Sequence, residues 1–130
     1  MTARFSNLIV EFLGENRWRV NVDFTYADGQ TAIVVPAGFE TDFASIPQVF
    51  HSILSPTGAY GKAAVIHDFL YATKFGKDRK LCDAIFLRAM KALRVGWFKR
   101  TLIHGAVRRW GWIVWNRRKV AWKPATALRP

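Results

Sequence analysis

Ala63-Ala64-Val65-Ile66-His67-Asp68-Phe69-Leu70-Tyr71 holds the only adjacent His-Asp pair of the chain, inside an otherwise apolar run. Wound as a helix over residues 61–74 at roughly 100° per residue, the run spreads Val65, Ile66, Phe69, Leu70 and Ala72 around most of the circumference. His67, Asp68 and Tyr71 then share one arc of about 100°, with Ala64 in its middle. A helix that is apolar on nearly all sides is buried, and a charge without partners is too costly to bury. The polar stripe is therefore expected to face a cleft, a metal or internal partners. Two readings stay open: groups satisfied structurally by a loop or an Arg, or the floor of a site.

Downstream, Phe75-Gly76-Lys77-Asp78 is a short connection with Asp78 as a helix cap, and residues 79–94 read as a second helix. Its expected core face is Leu81, Cys82, Ile85, Phe86, Ala89, Ala92 and Leu93. Asp83 lies on the other side, beside Leu87 and Met90, one turn after Arg79 and Lys80, the spacing of an ordinary surface ion pair. Helices joined by so short a link pack antiparallel, which brings Asp83 across from the His67 stripe. A third helix, from Trp97 to about Val120, puts Leu102, Ile103, Ala106, Val107, Trp110, Ile113 and Val114 on an apolar arc. Arg108, Arg109, Arg118, Lys119, Trp112 and Trp115 fall outside that arc, and Trp among Arg suits an anionic surface, either nucleic acid or phospholipid, or a protein partner.

Upstream, residues 7–35 read as an antiparallel meander of about three strands. Leu8 to Leu13 precede a turn at Gly14-Glu15-Asn16; Trp18, Val20, Val22 and Phe24 then alternate with polar residues; Asp28-Gly29 marks a hairpin before Thr31 to Val35. Pro36 ends the meander. In the irregular stretch that follows, Asp42 stands between Phe39 and Phe43, and Ser45 with Pro47 has the signature of an N-cap and first turn of a short helix reaching about Leu54. The expected fold is α+β: the N-terminal meander packed against three C-terminal helices and one short helix. The expected layout is a single domain over 1–130, with the meander at 7–35, the motif loop and short helix at 36–60, the helices at 61–122 and a frayed tail at 123–130.

A chain of 130 residues suits one core, and a hydrophobic fraction of 51% is enough to fill it. The single cysteine, Cys82, excludes an internal disulfide and a cysteine-built zinc site. No apolar h-region and no run of about 18 apolar residues is present, so neither a signal peptide nor a membrane span is expected. The net charge of +11 is uneven. Eight Lys/Arg face nine Asp/Glu up to Asp83, whereas the rest of the chain has twelve Lys/Arg and no acid. The basic block implies an anionic partner, or solubility alone.

The stretch Pro36-Ala37-Gly38-Phe39-Glu40-Thr41-Asp42-Phe43-Ala44-Ser45-Ile46-Pro47, then His67-Asp68-Phe69-Leu70-Tyr71, then Asp83 with Phe86, resembles a family of small phage and prophage proteins of unassigned function. The resemblance spans roughly residues 34–115. It implies synthesis in a bacterial host cytoplasm, other phage proteins as partners, and a role in the virion or its assembly. More locally, His67-Asp68 with Tyr71 and a later helix bearing Asp83 is similar to the paired helices of secreted-type and parvoviral phospholipases. That similarity implies His67 as the base that activates water, Asp68 as a calcium ligand, and Tyr71 and Asp83 as the pair that orients the site. The usual cysteines of those enzymes are absent, and Thr57-Gly58-Ala59-Tyr60-Gly61 is short for a calcium loop.

The site expected from these readings takes His67, Asp83, Tyr71 and Ser45 as catalytic groups and Asp68 and Asp42 as ligands of a divalent metal, calcium or zinc. The chemistry would be metal-assisted or His-Asp hydrolysis of an ester or another cell-envelope bond. A non-enzymatic phage component, whose polar stripe locks helices together, and a basic anion-binding module are the alternatives.

Overall fold

A computed structural model describes residues 3–15, 17–42 and 59–117. Six short strands come first: β1 (Arg4–Phe5), β2 (Val10–Gly14), β3 (Arg17–Val20), β4 (Phe24–Ala27), β5 (Ala32–Val35) and β6 (Glu40–Thr41). The helices α1 (Ala59–Thr73), α2 (Arg79–Ala92) and α3 (Trp97–Arg117) follow, with one 3-10 turn at Phe75–Lys77. The fold is α+β, as expected, but the strands form two antiparallel three-stranded sheets, ordered β1-β4-β5 and β2-β3-β6, rather than one meander.

The difference lies at Asn21 to Asp23. One continuous strand would put Val20, Val22 and Phe24 on the same buried face. Val20 and Phe24 are fully buried, yet Val22 is 43% exposed. The Asn21 amide still donates to the Ile9 carbonyl at 2.8 Å, the next rung of the β2–β3 register, and the chain leaves the ladder after it, where the Asp23 carboxylate accepts from the Ala37 amide at 2.8 Å. β3 and β4 thus enter different sheets. The stretch after Pro36, read as irregular, returns to the sheet as β6, pairing Trp18 with Thr41 and Arg19 with Glu40.

The Asp28-Gly29 hairpin forms as expected, and Asp28 holds it. Its carboxylate accepts from the amides of Gln30 and Thr31, each at 2.7 Å, and from the Tyr26 hydroxyl. Arg88 on α2 donates to Asp28 at 3.1 Å and to the Thr31 hydroxyl at 2.9 Å, tying sheet to helix. Burial works against the Asp28 charge, but these donors outweigh it and hold the carboxyl at about 2.

Every residue of α1 from Ala63 to Ala72 is buried, as its composition requires. Lys74 and Gly76, both in the left-handed region with φ 53° and 65°, reverse the chain. Asp78 then caps α2 by accepting from the Leu81 amide at 3.2 Å. Because α2 packs against α1 on one flank and α3 on the other, its buried set is wider than one stripe. Cys82, Ile85, Phe86 and Ala89 are inside as expected, and so are Asp83 and Met90, whereas Leu81 and Ala92 are exposed.

The arc expected for α3 is also corrected. Ile103 is buried with Val107 and Val114 packed beside it, but Trp110 is 57% exposed. The close approach of α3 is made at Gly111, where an added Cβ would sit 2.6 Å from the Tyr71 hydroxyl oxygen and 2.9 Å from an Arg79 guanidinium nitrogen. Both atoms are held by the hydrogen bonds described below and have nowhere to retreat. Gly111→Ala is therefore expected to destabilise by about 1–3 kcal/mol despite its gain in helix propensity. Gly105→Ala on the same helix, where an added Cβ meets nothing within 4 Å, is expected to stabilise by roughly 0.5–1 kcal/mol. Denaturant unfolding of the two variants checks the opposite signs.

Candidate functional site

His67 and Asp68 are neighbours on α1, so their side chains leave the helix about 100° apart and reach different partners. His67 Nε2 donates to Asp83 Oδ1 at 2.8 Å. Asp68 Oδ2 instead accepts from the Thr41 hydroxyl at 2.6 Å and the Asp42 amide at 3.1 Å. The pair that opened the sequence reading is thus two devices, one binding α1 to α2 and the other binding α1 to the end of β6.

Asp83 is the centre of the first. It is completely buried, and four donors converge on its two oxygens. Oδ1 accepts from His67 and from the Tyr71 hydroxyl at 2.6 Å; Oδ2 accepts from Arg108 at 2.6 Å and from Arg79 at 3.3 Å. A carboxylate has about four lone-pair positions, and all are used. Burial alone would push this carboxyl up, but the hydrogen bonds from His67, Tyr71 and Arg108 outweigh burial and hold it below its ordinary range. Arg79 goes further, donating to the Val107 carbonyl at 2.8 Å and the Arg108 carbonyl at 3.1 Å, so the guanidinium joins α2 to the backbone of α3.

Rings enclose the imidazole. Phe86 stacks on His67 with centroids 4.3 Å apart, and Tyr71 lies at 4.2 Å on another side. Tyr71 meets Trp115 edge-on at 5.1 Å, and the Lys74 ammonium sits over the Trp115 ring. Burial and the Asp83 charge push the Tyr71 phenol up, so it stays a donor. His67, Asp68 and Asp83 are each at most 4% exposed.

The second device groups Thr41, Asp42, Asp68 and Tyr60. Burial first, then the charges of Asp68 and Asp42, push the Tyr60 phenol up. Asp42 and Asp68 are the residues that would hold a cation. Among the described residues no group of three or more His, Cys, Asp or Glu side chains is placed to hold one, and the hydrogen bonds to Asp68 Oδ2 occupy part of the ligand the resemblance implies.

Of the expected catalytic set, the structure brings together His67, Tyr71 and Asp83. Ser45 lies outside the described residues, as do Arg118, Lys119 and the short helix. Of the expected anion-binding set, Arg109 and Trp112 are exposed. Arg108 turns toward the buried Asp83, which needs a counter-charge, and Trp115 packs on Tyr71. Sequence reasoning treated Arg79 as an exposed partner of Asp83 and missed Thr41. The i, i+4 spacing marked the first; the second stood in the stretch that carries the resemblance, without a role of its own.

Residues 18–107 match the family described as protein of unknown function, DUF1353. The chain belongs to that family. All of the paired groups above except Arg108 and Trp115 fall within the DUF1353 match. Over 79 residues the chain is 39% identical to the uncharacterized protein y4jT of Sinorhizobium fredii (strain NBRC 101917 / NGR234), an overlap of 59% of this chain and 23% of that protein. The chain thus spans less than a quarter of this relative's length. No solved structure matches the DUF1353 chain.

Asp83→Ala leaves the buried His67 imidazole and the part-exposed guanidiniums of Arg79 and Arg108 without their anion, and is expected to cost about 2–3 kcal/mol. The acid limb follows from the same carboxylate. Its folded value lies below its unfolded one, so its stabilisation is complete above pH about 4 and is lost as pH falls through the folded value, because the unfolded chain takes up the proton first. Asp83→Asn is therefore expected to flatten the loss of stability below pH about 4 relative to the wild type, read from unfolding midpoints across an acid series.

Proposed function

We propose that this DUF1353 protein is a non-enzymatic component of a bacteriophage or prophage, acting in the virion or its assembly, and that the His67-Asp83-Tyr71 cluster clamps its three helices. One observation carries the non-enzymatic half: the carboxylate that would serve His67 also binds Arg79 and Arg108. A general base must accept a proton, and the oriented carboxylate behind it must stabilise the imidazolium that results. Here two guanidiniums already balance that carboxylate, and a third positive charge would be created in a site closed to water. The same contacts suit a clamp, since each donor comes from a different turn or helix. The phage half rests on the resemblance carried by the Thr41-Asp42 and His67-Asp68-Tyr71 patterns.

A second reading has its own support. His67 and Tyr71 both donate to Asp83 Oδ1, the arrangement implied by the similarity to phospholipases, so a metal-assisted ester or envelope hydrolase is the runner-up.

His67→Ala separates the two. For a clamp it is expected to lower stability by about 2 kcal/mol or more, from the lost charge-assisted bond and ring packing, and to reduce incorporation into particles in proportion to the folded fraction. Phospholipid and cell-envelope hydrolysis, with and without calcium, should be at background for both proteins. Turnover by the wild type that disappears in a folded His67→Ala protein reverses the assignment.

A further inference from the structure

The outward face of α3 is apolar where solvent ought to favour polar groups. Trp97 and Phe98 are each 67% exposed, Trp110 57% and Leu102 38%. On the helical wheel Ile103, Val107 and Val114 face the core, Phe98, Leu102 and Arg109 centre roughly 140° away, and Trp110 and Trp97 flank the core arc on either side. With the small residues Gly105 and Ala106 between the aromatic ends, this face forms a groove of about 660 Å³. An apolar face of this kind marks an interaction surface rather than a scatter of single side chains.

Charge narrows the occupant. Beyond Asp83 the chain has twelve Lys/Arg and no acid, so a second copy seated here would set one basic helix against another. On this face Lys99 and Arg109 are exposed, and the Arg109 guanidinium lies 5.8 Å from the Trp110 ring centre. A nucleic-acid backbone would satisfy the cations but offers nothing to the phenyl and leucyl groups. An anionic bilayer satisfies both, taking indole and phenyl rings at the acyl boundary and cations at the headgroups. No described helix is long and apolar enough to cross a membrane, so the contact is peripheral.

We propose that α3 docks this protein on an anionic phospholipid surface through Trp97, Phe98, Leu102 and Trp110, with Lys99 and Arg109 meeting the headgroups. The inference is independent of the clamp, which uses the Arg108 side chain, the Val107 and Arg108 carbonyls and the close approach at Gly111.

The test is flotation of the full chain with vesicles of phosphatidylcholine mixed with phosphatidylglycerol, alongside tryptophan emission and sedimentation. Expected are binding to these vesicles that weakens with salt, a blue shift, and little binding to phosphatidylcholine alone. Trp97→Ala/Phe98→Ala/Trp110→Ala should abolish binding. Lys99→Glu/Arg109→Glu should weaken it about tenfold or more. All five side chains are exposed, so both variants should keep the wild-type unfolding midpoint. Absence of vesicle binding at low salt, or binding that survives the triple substitution, overturns the proposal. So does a dimer, or binding to duplex DNA, that the triple substitution abolishes while vesicle binding is absent.

Discussion

The carboxylate of Asp83 has to be paid for wherever it goes, and in this fold it goes to a place with no water. An ionised acid in the interior is tolerated only when hydrogen bonds and opposite charge replace its hydration. That need draws His67 and Tyr71 from α1, Arg79 from the first turn of α2, and Arg108 from the middle of α3 onto one pair of oxygens. Every helix therefore contributes to one small polar centre, and their mutual placement is set by bond lengths rather than by the softer preference of apolar groups for one another.

The same reasoning accounts for the split of the His-Asp pair. If His67 and Asp68 addressed each other, α1 would have a polar spot on one side only. Pointing apart, they give α1 two directional contacts on different flanks: Asp83 of α2, and Thr41 with the Asp42 amide at the end of β6. Because the rest of α1 is buried and apolar from Ala63 to Ala72, it could slide or rotate at modest cost in packing alone. Two hydrogen-bonded side chains, His67 and Asp68, leaving α1 about 100° apart fix both movements.

What could be read in the sequence follows from range. Burial of α1, the Asp78 cap and the Asp28-Gly29 turn depend on residues a few positions apart, and each is visible as a local pattern. The meeting of His67 with Asp83 was also legible, since two helices joined by four residues can hardly do otherwise than lie side by side. β1 and β6 were not, because two residues carry no alternation. The break between β3 and β4 was hidden because Asn21 and Asp23 sit at the polar positions of a regular strand, and only the distant partner of Asp23, the Ala37 amide, shows that the strand ends there. Arg108 was misread for the same reason: a basic residue beside an apolar arc looks solvated until an acid 25 positions earlier is known to be buried against it.

α3 shows why that last contact matters. The helix has apolar side chains around much of its circumference, with Ile103, Val107 and Val114 inside, Phe98 and Leu102 well away from them and Trp110 exposed at the edge of the buried arc, so hydrophobicity alone does not say which face turns inward. Area burial would in fact favour the face with the larger rings. Turning α3 by half a revolution, however, would carry Arg108 away from Asp83 and replace Gly111, the one position where the Tyr71 hydroxyl and the Arg79 guanidinium have room, with a bulkier side chain. The lost ion pair leaves an undercompensated buried charge, a larger penalty than the rings could offset. The buried acid thereby selects the smaller apolar face for the core and leaves the aromatic one outside.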